Sequence, residues 1–141
     1  MKLNLPKITQ AIPLADYAPE LAKHDDGSPA VVQAWINPPA PLLVRHANLR
    51  QRITELDRQI RGGTLTGDPL AAAVREMTGL GEALAALFAE LWSQHADPAT
   101  HWTAADVMEL AANDANPALF GWLTNGTIAA INKNRSGLRK N

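Results

Sequence analysis

His95 and His101 are the residues of this 141-residue chain whose type and spacing come nearest to chemistry. They stand in the block Glu90-Leu91-Trp92-Ser93-Gln94-His95-Ala96-Asp97-Pro98-Ala99-Thr100-His101-Trp102-Thr103-Ala104-Ala105-Asp106. That block holds two of the four tryptophans and two of the four histidines. An imidazole beside a carboxylate suits a general base, and His101 with Asp106 is the pair that the spacing offers. A zinc site asks for three or four ligands with paired spacing, such as His-x3-His on one helical turn. Here the histidines are six apart across Pro98, Asp97 is the nearby oxygen ligand, and no third histidine or cysteine follows. Nor does a serine, threonine or lysine sit in a recognisable nucleophile elbow. The expectation is no metal, no cofactor and no catalysis.

A structural corner accounts for more of the same residues. Trp92 and Trp102 supply large rings to be buried at the ends of two helices. Asp97-Pro98 and Thr103-x-x-Asp106 can satisfy the free amides of two consecutive helix starts. Aspartate in place of glutamate makes Thr103 and Asp106 a short form of the capping box. The corner residues expected on this reading are Trp92, Asp97, Trp102, Thr103 and Asp106, with the histidines as polar tips at the surface.

The elements that must position this corner follow from periodicity. Ile8–Ile12 and Val31–Ile36 are short, β-branched and roughly alternating, which predicts an antiparallel hairpin. The connection from Asp16 to Pro29 is turn-rich and is expected to be long and mobile. Asn37-Pro38-Pro39-Ala40-Pro41 reads as a rigid hinge that neither strand nor helix can cross. Leu42, Leu49, Ile53, Leu56 and Ile60 then share one face of a helix that ends at Gly62-Gly63. Glu55 can draw support from Arg52 or Arg58 three residues away. Asp68-Pro69 carries the signals of the next helix start.

In that helix Val74, Met77, Leu80, Leu84, Leu87 and Leu91 recur every three to four residues. They form a stripe flanked by alanines, expected to be core or a seam for a partner helix. Gly79 and Gly81 each cost about 1 kcal/mol relative to alanine, which suggests a close crossing or a bend. A short helix is expected from Thr103 to about Ala112. A last helix is expected from Asn116-Pro117, with Leu119, Phe120, Leu123, Ile128 and Ile131 inward. Asn125-Gly126 leaves a hairpin open as the alternative. Residues 135–141 read as a basic flexible tail. The fold class is α+β, mostly α: one domain over 1–141, with an N-terminal β-hairpin region at 1–40 and a body of about four helices at 41–134.

Composition narrows the function. Apolar residues make up 46% and charged residues 19%, inside the globular range. The absence of cysteine excludes disulfides, thiolate metal sites and a cysteine nucleophile, and a reducing cytoplasm is the natural setting. Polar residues and Pro6 interrupt any signal-like apolar run at the N-terminus, and the run Leu80–Trp92 is too short to span a bilayer, so no membrane partner is expected.

The net charge of −1 conceals a segregation. Five arginines against Glu55 and Asp57 leave +3 over residues 41–61. Arg75 against eight acids leaves −7 over 62–116, and Lys133, Arg135, Arg139 and Lys140 give +4 at the end. The arginines of residues 45–61 could track a nucleic-acid backbone, but their interspersed acids favour a solvated face. A helix-turn-helix over 82–112 would place Asp106, Glu109 and Asp114 against phosphates, which argues against it. The loop before Asp68 lacks Gly-Lys-Ser/Thr, which argues against a phosphate-binding loop.

Two blocks carry a resemblance: Val32-Gln33-Ala34-Trp35-Ile36-Asn37-Pro38-Pro39, and Trp92-Ser93-Gln94 with Asp97-Pro98-Ala99-Thr100-His101-Trp102. In their order, between a short β start and a helical body, they resemble the small tail assembly chaperones of long-tailed phages and prophages. The blocks touch about a quarter of the chain, and neither is a catalytic signature. The resemblance implies a non-catalytic chaperone that coats the helical tape-measure protein, in the host cytoplasm, until tail tube subunits replace it. It implies protein partners and a possible homo-oligomer. The alternatives are a virion structural or connector subunit, and a small nucleic-acid-binding regulator acting through the basic tail. An apolar stripe at Val74, Met77, Leu80, Leu84, Leu87 and Leu91 would be the partner-binding face, taking a client helix in a groove.

Overall fold

Alternation at the N-terminus produces a two-stranded antiparallel hairpin, β1 (Thr9–Pro13) and β2 (Val31–Trp35), in the register Thr9 with Trp35 and Pro13 with Val31. The structure, a computed structural model, describes residues 5–21, 27, 28 and 30–139. Ile12, Val32 and Ala34 face the core and their neighbours face out, as the period of two requires. Two short 3-10 turns, Leu14–Asp16 and Pro19–Leu21, follow β1. The expected mobile tip at His24-Asp25-Asp26 lies outside the described residues.

Asn37 closes the open end of this hairpin. Its Oδ1 accepts from the Ile8 amide at 2.7 Å and from Trp35 Nε1 at 2.8 Å, and its Nδ2 donates to the Pro6 carbonyl at 3.0 Å. The proline run after it is not the full break that the sequence suggested. Helix α1 (Ala40–Arg61) begins inside the run, with Pro39 at the N-cap position and Pro41 in the first turn. Prolines are tolerated there because first-turn amides have no partner within the helix.

Helix α1 ends as expected. The Gly62 amide bonds back to the Arg58 carbonyl at 2.9 Å, and Gly63 takes the left-handed region at φ +71°. Helix α2 (Gly67–Leu91) starts one residue before Asp68-Pro69, with Thr66 at the N-cap position and no side-chain cap. A loop this short returns α2 antiparallel along α1. Arg52 spans the pair to Glu76 with two hydrogen bonds, at 2.6 and 2.8 Å, and reaches Glu55 at 3.7 Å. Helix α3 (Ala104–Ala111) packs on α2, and α4 (Leu119–Arg139) closes the body and touches β1.

The chain is therefore α+β and mostly α, a hairpin followed by four helices. Asn125-Gly126 lies within α4, so the hairpin alternative there is not realised. Residues 132–139 continue α4 rather than forming an irregular tail. The side chain that serves the turn before α4 is Asn113, whose Oδ1 accepts from the amides of Ala115 and Asn116, rather than Asn116 itself. Asn134 Nδ2 donates to the Ile36 carbonyl at 3.3 Å and ties the last helix to the end of the hairpin.

The core sits where α2, α3, α4 and the hairpin converge, around Phe88, Leu91, Trp92, Val107, Leu123 and Ile131. From α1, Leu42 joins it, with Leu49 and Ile53 partly buried against it. Leu56 is buried farther along the α1–α2 pair.

Candidate functional site

The block from Glu90 to Asp106 is a corner between α2 and α3. Trp92, at the C-terminal end of α2, is fully buried. Its ring meets Phe88 at 5.4 Å and Trp102 at 5.1 Å between centroids. Trp102 is only partly buried, less than the sequence suggested, because it lines the outer side of the corner. Asp97 caps a short 3-10 turn at Pro98–Thr100 by accepting from the Ala99 amide at 3.1 Å. Thr103 and Asp106 form the reciprocal capping box of α3: Thr103 Oγ1 accepts from the Asp106 amide at 3.1 Å, and Asp106 Oδ2 accepts from the Thr103 amide at 2.8 Å. Those bonds hold the Asp106 carboxyl below its ordinary value, the backbone amide being the larger cause.

Ser93 also holds the corner, a role that its sequence position does not reveal. Its Oγ accepts from the Trp102 amide at 2.7 Å and lies 3.2 Å from the Trp102 carbonyl, to which it donates. One hydroxyl thus clamps both backbone groups of a residue nine positions on.

The histidines are absorbed into this frame. Thr100 Oγ1 lies 3.1 Å from the Asp97 carbonyl, to which it donates, and 2.6 Å from His95 Nε2, with which it shares a hydrogen bond. His95 Nδ1 is buried with no hydrogen-bond partner among the described residues. His101 Nε2 donates to the His95 carbonyl at 2.8 Å, and the two rings meet edge to face at 4.8 Å. The pair of His101 with Asp106 is not formed: the carboxylate serves the Thr103 amide, and the imidazole serves a carbonyl. Among the described residues, no group of three His, Cys, Asp or Glu side chains is placed to hold a metal ion.

The apolar stripe on α2 divides in two. Leu87 and Leu91 are fully buried in the chain's own core and present nothing to a partner, and Leu84 is buried but for a small edge, so the expectation of one continuous binding stripe is corrected. These three pack into the core that α3, α4 and the hairpin complete. Met77 and Leu80 are half-buried, and Val74 is 47% exposed.

The open surface lies on the adjacent face. Val74, Thr78, Gly81 and Ala85 follow one another at four, three and four residues, so they share one side of the helix. Near Gly81 that side meets a groove of about 280 Å³ whose floor is Leu84, Ala85, Val107 and Phe120 and whose lip is Gly81, Met108, Ala111 and Ala112. Helix α3 ends there. Beyond it, Thr78 and Val74 are exposed.

Gly79 and Gly81 do not mark a close helix crossing. A methyl group added at either would meet nothing within 4 Å, and α2 runs through both as one helix. Gly81 instead opens one wall of the groove. The signal in the sequence was therefore real but its meaning inverted: the glycine leaves a space instead of receiving a neighbour.

No helix among the described residues is long and apolar enough to cross a membrane. Compared with family models, curated proteins and solved structures, the chain matches none of them.

Proposed function

We propose that this protein is a non-catalytic tail assembly chaperone of the long-tailed-phage type, which holds a helical segment of the tape-measure protein, and in exchange tail tube subunits, during assembly. The groove at the end of α3 is the observation that carries this reading. It is apolar on its floor, with Leu84, Ala85, Val107 and Phe120, and small at its lip, with Gly81, Ala111 and Ala112. Small lips let a second helix approach closely, and an apolar floor accepts its anchor side chains. The bare face of α2 continues the groove from Gly81 to Val74, about 10 Å at 1.5 Å per residue. That length accommodates two turns of a client helix.

Two further features support a binding role over catalysis. The histidines of the Trp92–Trp102 corner are engaged within it, His95 with the Thr100 hydroxyl and His101 with the His95 carbonyl. The resemblance to tail assembly chaperones rests on blocks that specify that same corner and the Asn37 clasp. These blocks build the body that displays the groove.

The test is co-expression with a tape-measure fragment rich in apolar helix. Wild-type protein should keep the fragment in the soluble fraction. Met108→Glu and Gly81→Leu, both at exposed positions, should abolish that effect while leaving the thermal transition of the chaperone in place. If wild-type protein leaves the fragment as insoluble as before, the chaperone reading fails. If the two variants protect it as well as wild type does, the groove is not the binding surface.

A further inference from the structure

A second depression lies between α1, α2 and α4; it shares only Leu84 with the groove and does not rest on the chaperone reading. It encloses about 260 Å³. Its rim is polar: His46 and Arg50 come from successive turns of α1, and Thr124, Asn125 and Asn132 from one side of α4. Its floor is Leu84, Phe88 and Ile128. No aspartate or glutamate lines it.

Three of those rim groups are uncommitted. Among the described residues the Arg50 guanidinium has no ion-pair partner, whereas Arg52 and Arg61 on the same helix each hold a carboxylate. The Asn125 and Asn132 amides make no hydrogen bond within the described protein. Thr124 Oγ1 donates to the Gly121 carbonyl at 3.2 Å and keeps its lone pairs for an external donor. The His46 ring packs edge-on against Phe88 at 5.6 Å, which fixes it at the boundary of rim and floor. Burial first, and the nearby Arg50 charge second, hold His46 below its ordinary value. The rim therefore combines one unopposed cation with neutral amide donors.

Charge and shape together select the ligand. A guanidinium matches a carboxylate in a two-bond fork, and side-chain amides add further donors. A floor of leucine, phenylalanine and isoleucine is wasted on a bare inorganic anion but accepts a branched aliphatic group. The volume lies just below the range of drug-sized ligand pockets, roughly 300 to 1,000 Å³, which suits a smaller ligand. We infer that the depression between α1, α2 and α4 is a binding site for a carboxylate joined to a small apolar group, with Arg50, Asn125 and Asn132 on the carboxylate and Ile128 and Ala129 under the apolar part. Two sources present that chemistry: a free branched-chain acid, and the C-terminal residue of a polypeptide.

NMR titration of the full chain tests this, reading the His46 ring protons and the Asn125 and Asn132 side-chain amides. The probes are 4-methylpentanoate, its amide, inorganic phosphate, and an N-acetylated tripeptide ending in leucine with a free carboxylate. Saturable shifts with 4-methylpentanoate or the tripeptide, absent with the amide and about tenfold weaker in Arg50→Gln, are expected. Tighter binding of the tripeptide assigns the site to a chain terminus, and tighter binding of the acid assigns it to a free metabolite-sized ligand. Arg50 is exposed, so its replacement tests binding rather than folding. The inference is overturned if neither carboxylate gives saturable shifts, if the amide or phosphate binds as tightly, or if Arg50→Gln binds like wild type.

Discussion

Trp92 Nε1 donates to Thr127 Oγ1 at 3.0 Å, and both side chains are wholly shut off from water. Thr127 Oγ1 in turn donates to the Leu123 carbonyl at 2.8 Å, so the hydroxyl accepts one bond and gives one. This link fastens the C-terminal end of α2 to the middle of α4, 35 residues away. It explains how a threonine comes to be buried in an apolar core: the indole needs an acceptor, and α4 presents one. Thr127→Val keeps the shape but orphans the indole N–H, and should destabilise by about 1–3 kcal/mol. Thr127→Ser keeps the oxygen and should cost less. Chemical denaturation distinguishes them; a valine variant as stable as wild type would show that the bond contributes nothing.

Asn37 makes three hydrogen bonds that hold the start of β1 against the end of β2. Asn37→Ala removes them all and leaves the Ile8 amide and the Trp35 indole without their acceptor. Amide exchange at Ile8 and along β1 should accelerate well before the helices lose protection. Asn37→Asp, which keeps the acceptor and loses only the donor to Pro6, should accelerate it less. Equal protection in both variants would show that the strand ladder alone holds the hairpin.

Thr103 and Asp106 cap α3 reciprocally. Thr103→Ala should cost about 1 kcal/mol, the usual value for a lost cap. Asp106 adds a dependence on pH with a definite sign. Its folded carboxyl titrates below the ordinary 3.8, chiefly through the Thr103 amide. The stabilisation from its charge is therefore fully present above 3.8 and is lost as pH falls through the lower folded value. The stability difference between wild type and Asp106→Asn should hold steady from neutral pH to about 5 and shrink in stronger acid. A difference that persists unchanged in acid would assign the effect to shape rather than charge.

The division of the α2 stripe predicts opposite costs for residues that look equivalent in sequence. Leu87, fully buried, should lose about 2–5 kcal/mol on truncation to alanine. Val74, 47% exposed, should change stability by no more than about 0.5 kcal/mol on replacement by serine. Parallel thermal melts measure both. A large loss at Val74 would mean that its face of α2 is already covered in solution, by a second copy of the chain for example.

Gly79 sits on α2 with open space where its Cβ would be. Gly79→Ala should stabilise the fold by up to about 1 kcal/mol by restoring helix propensity. Gly63→Ala should do the opposite, because the left-handed φ of +71° there disfavours a side chain. A destabilised Gly79→Ala variant would contradict the open space beside α2.

How far the sequence reached depended on the range of the interaction. The Thr103–Asp106 box, the Asp97 turn and the Gly62-Gly63 stop all act within a few residues. Their residue types and spacing therefore stated the structure outright. The five inward residues of α1, the inward face of α4 and the alternation of β1 and β2 were equally legible, because periodicity encodes which side of an element is apolar. The same signals failed at boundaries where one rule competed with another. The proline run read as a break, yet helix tolerates proline in its first turn.

Periodicity says that a face is apolar but not what covers it. The stripe from Val74 to Leu91 was visible as a stripe, and only packing divided it into a buried half and an open half. The groove is likewise a product of three segments, α2, α3 and the start of α4, and no local pattern announces where α3 will stop. The depression between α1, α2 and α4 draws its rim from residues as far apart in the chain as His46 and Asn132.

The sequence by itself determined the elements, their caps and their apolar faces, since those follow from contacts within one or two turns of chain. Only the tertiary structure decided that Trp92 finds Thr127, that Asn37 clasps two ends of the hairpin, that His95 and His101 hold a corner, and that Gly81 opens onto a groove. Each of these depends on which distant surfaces meet, and that is settled by the burial of all the apolar faces at once.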